Sequence, residues 1–200
     1  MPVVVADTSW QRLARARQRD IPTYHGEILA EATEDHLDMG RFQALVAATD
    51  NEAYNALVCN ELATEVGRHA VYQLGDVDHD DARALPAALR GRTLFPSGLG
   101  VEEIDQRLRQ GWTLRKTRLT EQFSLKDAMR ELPEGADQLM VIGKSGKIHF
   151  FSHASRPKPE AGDTVVSYAP PKPGAVRSET VESATSTQGD EDMTASPALP

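Results

Sequence analysis

Short apolar runs and helical stripes alternate along the first third of the chain. Val3 to Ala6 is a continuous β-branched run ending at an acid, Asp7. That pattern predicts a parallel strand buried on both faces. Thr8 or Ser9 is placed to cap the helix that follows. Trp10, Leu13, Ala14 and Arg17 recur at helical spacing and give an Arg-rich helix one apolar side. Ile21 to Tyr24 predicts a second strand, with Pro22 confined to its start or an edge. His25-Gly26-Glu27 forms the turn at its end. Ile28 to Met39 is weakly helical, and Gly40 stands at a C′ position.

Ala44 to Ala48 is the third strand. Thr49 to Glu52 fits a capping box, with Thr49 at the N-cap and Glu52 three residues on. The helix it opens carries Tyr54, Leu57, Val58, Leu62 and Val66 on one face, and Gly67 stops it. Ala70 to Leu74 is the fourth strand. Strand and helix thus alternate with short loops, which predicts a parallel sheet with right-handed crossovers.

The pattern changes after an acidic, then Ala/Arg-rich connection, "GDVDHDDARALPAALRG". Arg92 to Phe95 is a short strand. Val101 to Gln110 is a helix with Val101, Ile104 and Leu108 facing inward. Trp112 to Leu119 alternates as a strand, and Ser124 caps a helix through Leu132. Leu139 to Ile142 and Lys147 to Phe151 flank "GKSG" as a hairpin. Thr164 to Ala169 is a last strand. From Pro170 onward, Pro, Ser, Thr, Glu and Ala follow without periodicity, a composition that cannot offset the entropy of ordering.

Composition narrows the function. The net charge is −8, which argues against nucleic acid as a partner. The lone cysteine, Cys59, excludes an intrachain disulfide, and its neighbours place it in a helix core. No apolar run approaches the roughly 20 residues of a membrane helix, and no signal peptide opens the chain. The expectation is a soluble, cytoplasmic protein.

An acid at the tip of a strand has two readings. As an N-cap, Asp7 would contribute about 1 kcal/mol. In a dinucleotide-binding sheet, a carboxylate there offers two acceptor oxygens to the two ribose hydroxyls of adenosine. That fold also calls for an earlier strand and a Gly-rich loop roughly 20 residues upstream, and neither precedes Asp7 in this sequence.

The stretches "VVVADTSWQRLARARQRDIPTYHGEILAE" and "LVAATDNEAYNALVCNELATEVGRHAVYQL" resemble the regulator-of-potassium-conductance (RCK, or TrkA-N) nucleotide-binding domain. The form attached to the cytoplasmic end of bacterial sodium:proton antiporters is the nearer likeness. The matching positions are Asp7, the pair Gly26-Glu27, Thr49, and Asn55 four residues into its helix. "GDTVVSYAP" is similar to the closing strand of the small domain that often follows. Such domains usually carry Gly-Asp where this chain has Gly26-Glu27.

The resemblance implies an α/β fold: an incomplete Rossmann-like parallel sheet over residues 1–75, a linker over 76–90, a small α+β domain over 91–170 and a disordered tail over 171–200. It implies NAD(H) or another adenine nucleotide as ligand, with Asp7 on the ribose, Gly26 and Glu27 beside the adenine, and Thr49 at a strand's carboxyl end. Thr49 has a competing reading as the N-cap of its own helix, and Glu27 as a solvated acid at a helix start. The chain would then be the C-terminal part of a longer protein, beginning inside its nucleotide-binding domain. Its partner would be a membrane transporter portion at the inner face of the cell membrane. In the family such domains commonly pair, which makes a homodimer an expectation too, through the apolar faces of the second and third helices.

Other motifs carry less. "GKSGK" would need a glycine at position 138 to be a P-loop, and Gln138 stands there. "DVDHDD" lacks the glycine and distal glutamate of a calcium loop. His149 and His153 share strand parity without a third ligand nearby. Two specific functions remain, beside a degenerate or purely structural module. One is a nucleotide-sensing regulatory region, not an enzyme, of a sodium or other cation:proton antiporter. The other is the C-terminal part of an NAD(P)-dependent oxidoreductase, with His149, His153 or Tyr168 as its polar group.

Overall fold

A computed structural model describes residues 2–75 and 86–171. The expected tail lies almost wholly outside these residues, and so does most of the expected linker with its acidic "DVDHDD" run. The class is α/β with parallel pairing, as the alternation predicts. Strand β1 (Val5–Asp7) pairs in parallel with β2 (Thr23–His25). Helix α1 (Trp10–Arg17) connects them, with Ser9 as N-cap accepting the Arg12 amide and Leu13 fully buried.

Strand β3 (Leu45–Ala47) is followed by helices α3 (Glu52–Glu61) and α4 (Ala63–Val66) and by β4 (Val71–Gln73). β3 pairs in parallel with β4, and β4 with β5 (Arg92–Thr93). The parallel sheet is therefore in two pieces, β1-β2 and β3-β4-β5, and the first three apolar segments do not form one hydrogen-bonded ladder. β5, expected to begin the second unit, instead extends the parallel sheet beyond residue 90.

Several local expectations are corrected. The helix expected from Ile28 to Met39 is a single turn, α2 (Glu31–Glu34), followed by a 3-10 turn at Met39–Arg41. Ala30 supplies no side-chain cap, and Gly40 lies inside the 3-10 turn. Leu29, Leu37 and Phe42 are held instead by packing against Met39, Val58, Cys59 and Val71. The N-cap of α3 is Asn51, whose side chain accepts the Tyr54 amide, so Thr49 and Glu52 do not form the predicted box. The expected long helix breaks at Leu62, and Gly67 ends α4 with φ of 100°. Leu57 and Leu108, expected to face inward, are about half exposed.

Helix α5 (Val101–Arg109) leads into an antiparallel sheet. Its strands are β6 (Thr113–Arg118), β7 (Asp137–Ile142), β8 (Ile148–Phe150) and β9 (Thr164–Ala169), in the order β6-β9-β7-β8. Helix α6 (Leu125–Glu131) opens on a true capping box between Ser124 and Asp127. The hairpin predicted at "GKSG" closes with Gly143 N donating to Lys147 O at 2.8 Å.

The antiparallel sheet is joined to the parallel one along β5. Leu94 bridges Ser152, Phe95 N donates to Phe151 O at 3.2 Å, and His153 N to Thr93 O at 3.3 Å. Tyr72, Leu74 and Leu94 pack in one cluster with Phe150, Val101 and Ile104. Behind β4, Cys59 is fully buried, and its Sγ–H donates to the Tyr72 carbonyl at 3.2 Å. Gly91 passes so close that a Cβ there would stand 2.5 Å from that sulfur. Burial pushes the Cys59 thiol up to about 11.

Candidate functional site

The carboxyl ends of parallel strands are where open α/β sheets collect ligands. Asp7 ends β1, Gly26 and Glu27 follow β2, and Thr49 follows β3 by two residues. All four line one cavity of about 260 Å³ between the two pieces of the parallel sheet. Arg12, Tyr54 and Asn55 also line it, with apolar walls from Ala6, Ala44, Val46 and Val58.

Asp7 is not the N-cap of α1, a place that Ser9 takes, but it supports that residue and lines the cavity. Its Oδ1 accepts the Ser9 amide at 2.8 Å. Its Oδ2 lies 3.8 Å from Arg12 Nη1, and the side chain is 23 % exposed at the cavity. At this helix end Asp7 takes the Ser9 amide and Ser9 Oγ takes the Arg12 amide.

Gly26 continues the β1–β2 ladder, its amide donating to Asp7 O at 3.2 Å. A Cβ at this position would stand 3.0–3.1 Å from the Tyr24 ring and hydroxyl, so a side chain there would require the tyrosine to shift. Tyr24 is held in turn by Thr33, its hydroxyl 3.0 Å from Thr33 Oγ1. Glu27 is not merely a solvated acid, because it accepts a hydrogen bond from the Tyr54 hydroxyl. Burial, that hydrogen bond and the nearby negative charge together raise the Tyr54 phenol above the ordinary tyrosine range.

Thr49 is locked by Asn55, which is 0 % exposed. The Thr49 hydroxyl donates to Asn55 Oδ1 at 2.7 Å, and its amide donates to the same oxygen at 3.0 Å. Asn55 Nδ2 donates to Thr49 O at 2.9 Å and to Leu74 O at 3.4 Å, tying the carboxyl ends of β3 and β4 together. The Thr49 hydroxyl accepts the Asn51 amide at 3.2 Å, which is why Asn51 takes the cap.

Sequence reasoning missed Arg12 and Tyr54 as lining residues. The signal for Arg12 was its place in the first turn after the strand-end acid. No sequence signal links Tyr54 to Glu27, because they are 27 residues apart and meet only through the tertiary fold.

Asp7 and Glu27 present carboxylate oxygens that can accept hydrogen bonds from a polar ligand, and the walls between them are apolar. Arg12 is the cation at the rim. His149, His153 and Tyr168 do not line this cavity. Tyr168 is buried in the antiparallel sheet, its hydroxyl donating to Ile104 O at 3.1 Å. Among the described residues no group of three or more His, Cys, Asp or Glu is placed to hold a metal ion, and no helix is long and apolar enough to cross a membrane.

Residues 1–84 match the TrkA-N domain family. This stretch, 84 of the 200 residues, is thus a TrkA-N-like region, and it holds all four predicted site residues. No curated protein matches the chain. Among solved structures it is similar to a crystal structure of the GsuK RCK domain, at 9 % identity and a TM-score of 0.25. That likeness covers 84 % of this chain and spans 43 % of the length of the other.

Proposed function

We propose that the TrkA-N-like region senses an adenine nucleotide, NAD(H) by preference, and regulates a transport system for monovalent cations. The observation that carries this reading is the convergence of Asp7, Glu27 and Thr49, from three separate strand ends, on one apolar cavity. In this reading Asp7 grips the ribose, Gly26 and Glu27 border the adenine, and Thr49 closes the strand rim. The match to the TrkA-N family supports the ligand class. The finer assignment is to a sodium:proton antiporter, with the chain at the inner face of the membrane and pairing with a second copy. The domain would act as a sensor, not as a catalyst. Ligand state would bias the partner by a coupling of about 1–3 kcal/mol.

The test is calorimetric titration of the full chain with NAD⁺, NADH and ATP. Asp7→Asn is the informative variant, because asparagine keeps the cap acceptor for the Ser9 amide and loses the charge. Saturable binding weakened about tenfold by Asp7→Asn, with the melting temperature unchanged, is expected. Absence of binding at millimolar nucleotide, or equal binding by the variant, would overturn the proposal.

A further inference from the structure

Helix α1 carries charge opposite to that of the molecule around it. Residues 8–20 hold Arg12, Arg15, Arg17 and Arg19 against a single acid, Asp20, in a chain of net charge −8. All four arginines are exposed. Arg12 is drawn to Asp7 at the cavity rim. Arg15 and Arg19 have no ion-pair partner among the described residues. They stand two and six residues after the buried Leu13, which places both on the outer side of the helix.

Trp10, in the first turn of α1, is 60 % exposed and does not line the cavity. Its ring is nevertheless held. It stacks on His25 at the end of β2, with centroids 4.2 Å apart and planes inclined by 19°. The Arg17 guanidinium lies over the ring, 4.6 Å from its centroid, and Arg17 Nη2 donates to Trp10 O at 2.9 Å. His25 is fixed in turn, its Nε2 2.9 Å from Thr8 O. The indole N–H has no hydrogen-bond partner among the described residues. The fold thus keeps a large apolar ring in water, in one orientation, beside a row of free cations.

We infer that α1 and the Trp10–His25 stack form a docking face for the surface of an anionic phospholipid bilayer. Guanidinium groups match phosphate esters with two parallel hydrogen bonds, which ammonium groups do not. An indole suits the headgroup level, where its ring meets apolar material and its N–H meets ester or water oxygens. Stacking has already ordered the ring, so docking costs little further entropy. The outer side of a helix is convex and meets a broad, deformable surface well. An acidic peptide would match the arginines but offer the ring no pocket. Nucleic acid calls for a wider basic face than one helix of a negatively charged chain. This docking needs neither a nucleotide in the cavity nor a transporter partner.

The test is sedimentation of the full chain with vesicles of phosphatidylcholine containing about one-third phosphatidylglycerol, and with pure phosphatidylcholine, at about 0.05 M and about 0.5 M salt. Binding to the anionic vesicles, weakened at least about tenfold by the higher salt or by the neutral lipid, is expected. Each arginine near such a surface counts for roughly fivefold, so Arg15→Gln combined with Arg19→Gln should weaken binding about twentyfold at unchanged melting temperature. Trp10→Ala should weaken it about fivefold and leave the salt dependence in place. No binding to anionic vesicles, equal binding to neutral ones, or equal binding by the double arginine variant would overturn the inference. Release of the chain by millimolar glycerol phosphate would also overturn it, because a soluble phosphate would then be the ligand. So would tight binding of polyglutamate that the same arginine variant abolishes, because the face would then serve an acidic protein. Vesicle binding without nucleotide binding would sink only the reading of the cavity, and the reverse would sink only the docking face.

Discussion

Replacing Asn55 by alanine tests how the rim of the cavity is built. The side chain is fully buried and makes four hydrogen bonds, two accepted from Thr49 and two donated to the carbonyls of Thr49 and Leu74. Alanine removes all four and leaves an amide and two carbonyls without these partners. A buried group left unsatisfied costs about 1–3 kcal/mol. Thr49 is half-buried, so water recovers part of its share, and the Leu74 carbonyl recovers little. The expected loss is about 2–4 kcal/mol, read as a lower urea midpoint at unchanged slope. A loss below about 0.5 kcal/mol would mean that the clip between β3 and β4 carries no weight. Asn55→Asp sharpens the test. A carboxylate there keeps both acceptor contacts but faces two carbonyls, so burial and repulsion raise its folded pKa above the unfolded value. The protonated form is then favoured by folding. The penalty relative to wild type is small below the unfolded pKa, about 4, and grows as pH rises through the folded one. A penalty independent of pH would refute the assigned donor geometry.

Three further outcomes follow from other contacts. Gly91→Ala, whose Cβ would strike Cys59 Sγ, should cost about 1–3 kcal/mol, and adding Cys59→Ala should return part of that loss. Additive losses measured in the double mutant would exclude the clash as cause. Burial holds Cys59 as a thiol, so its contribution to stability is complete below the unfolded thiol pKa and declines as pH rises toward about 11. A thiol reagent near pH 8 should label Cys59 only in denaturant, and rapid labelling of the native chain would contradict its burial. Ultraviolet titration should show Tyr54 ionising above the ordinary tyrosine range, with Glu27→Gln bringing it part of the way back; no difference would remove the Tyr54–Glu27 bond from the site.

Much of the first sheet was legible because its strands are short β-branched runs whose polar ends fall at the carboxyl rim. Asp7, Gly26, Glu27 and Thr49 fall at those ends, and it was the family resemblance that named them as site residues. Their meeting in one cavity depends on packing, which local periodicity does not encode. The sequence pointed to Thr49 as the cap, but Asn55 engages the Thr49 hydroxyl and Asn51 takes that place. Leu57 and Leu108 lie at the margins of their helical stripes, where spacing alone does not mark the limit of burial. The pairing of β5 with β4 was illegible because a two-residue strand carries no pattern that names its neighbour.

The junction at β5 has a mechanical consequence. Thr93, Leu94 and Phe95 are held by one sheet through β4 and by the other through Phe151, Ser152 and His153. The two halves therefore share a weld, and the chain should melt in one calorimetric transition. A displacement at the cavity end therefore has a direct path to the far sheet through β5.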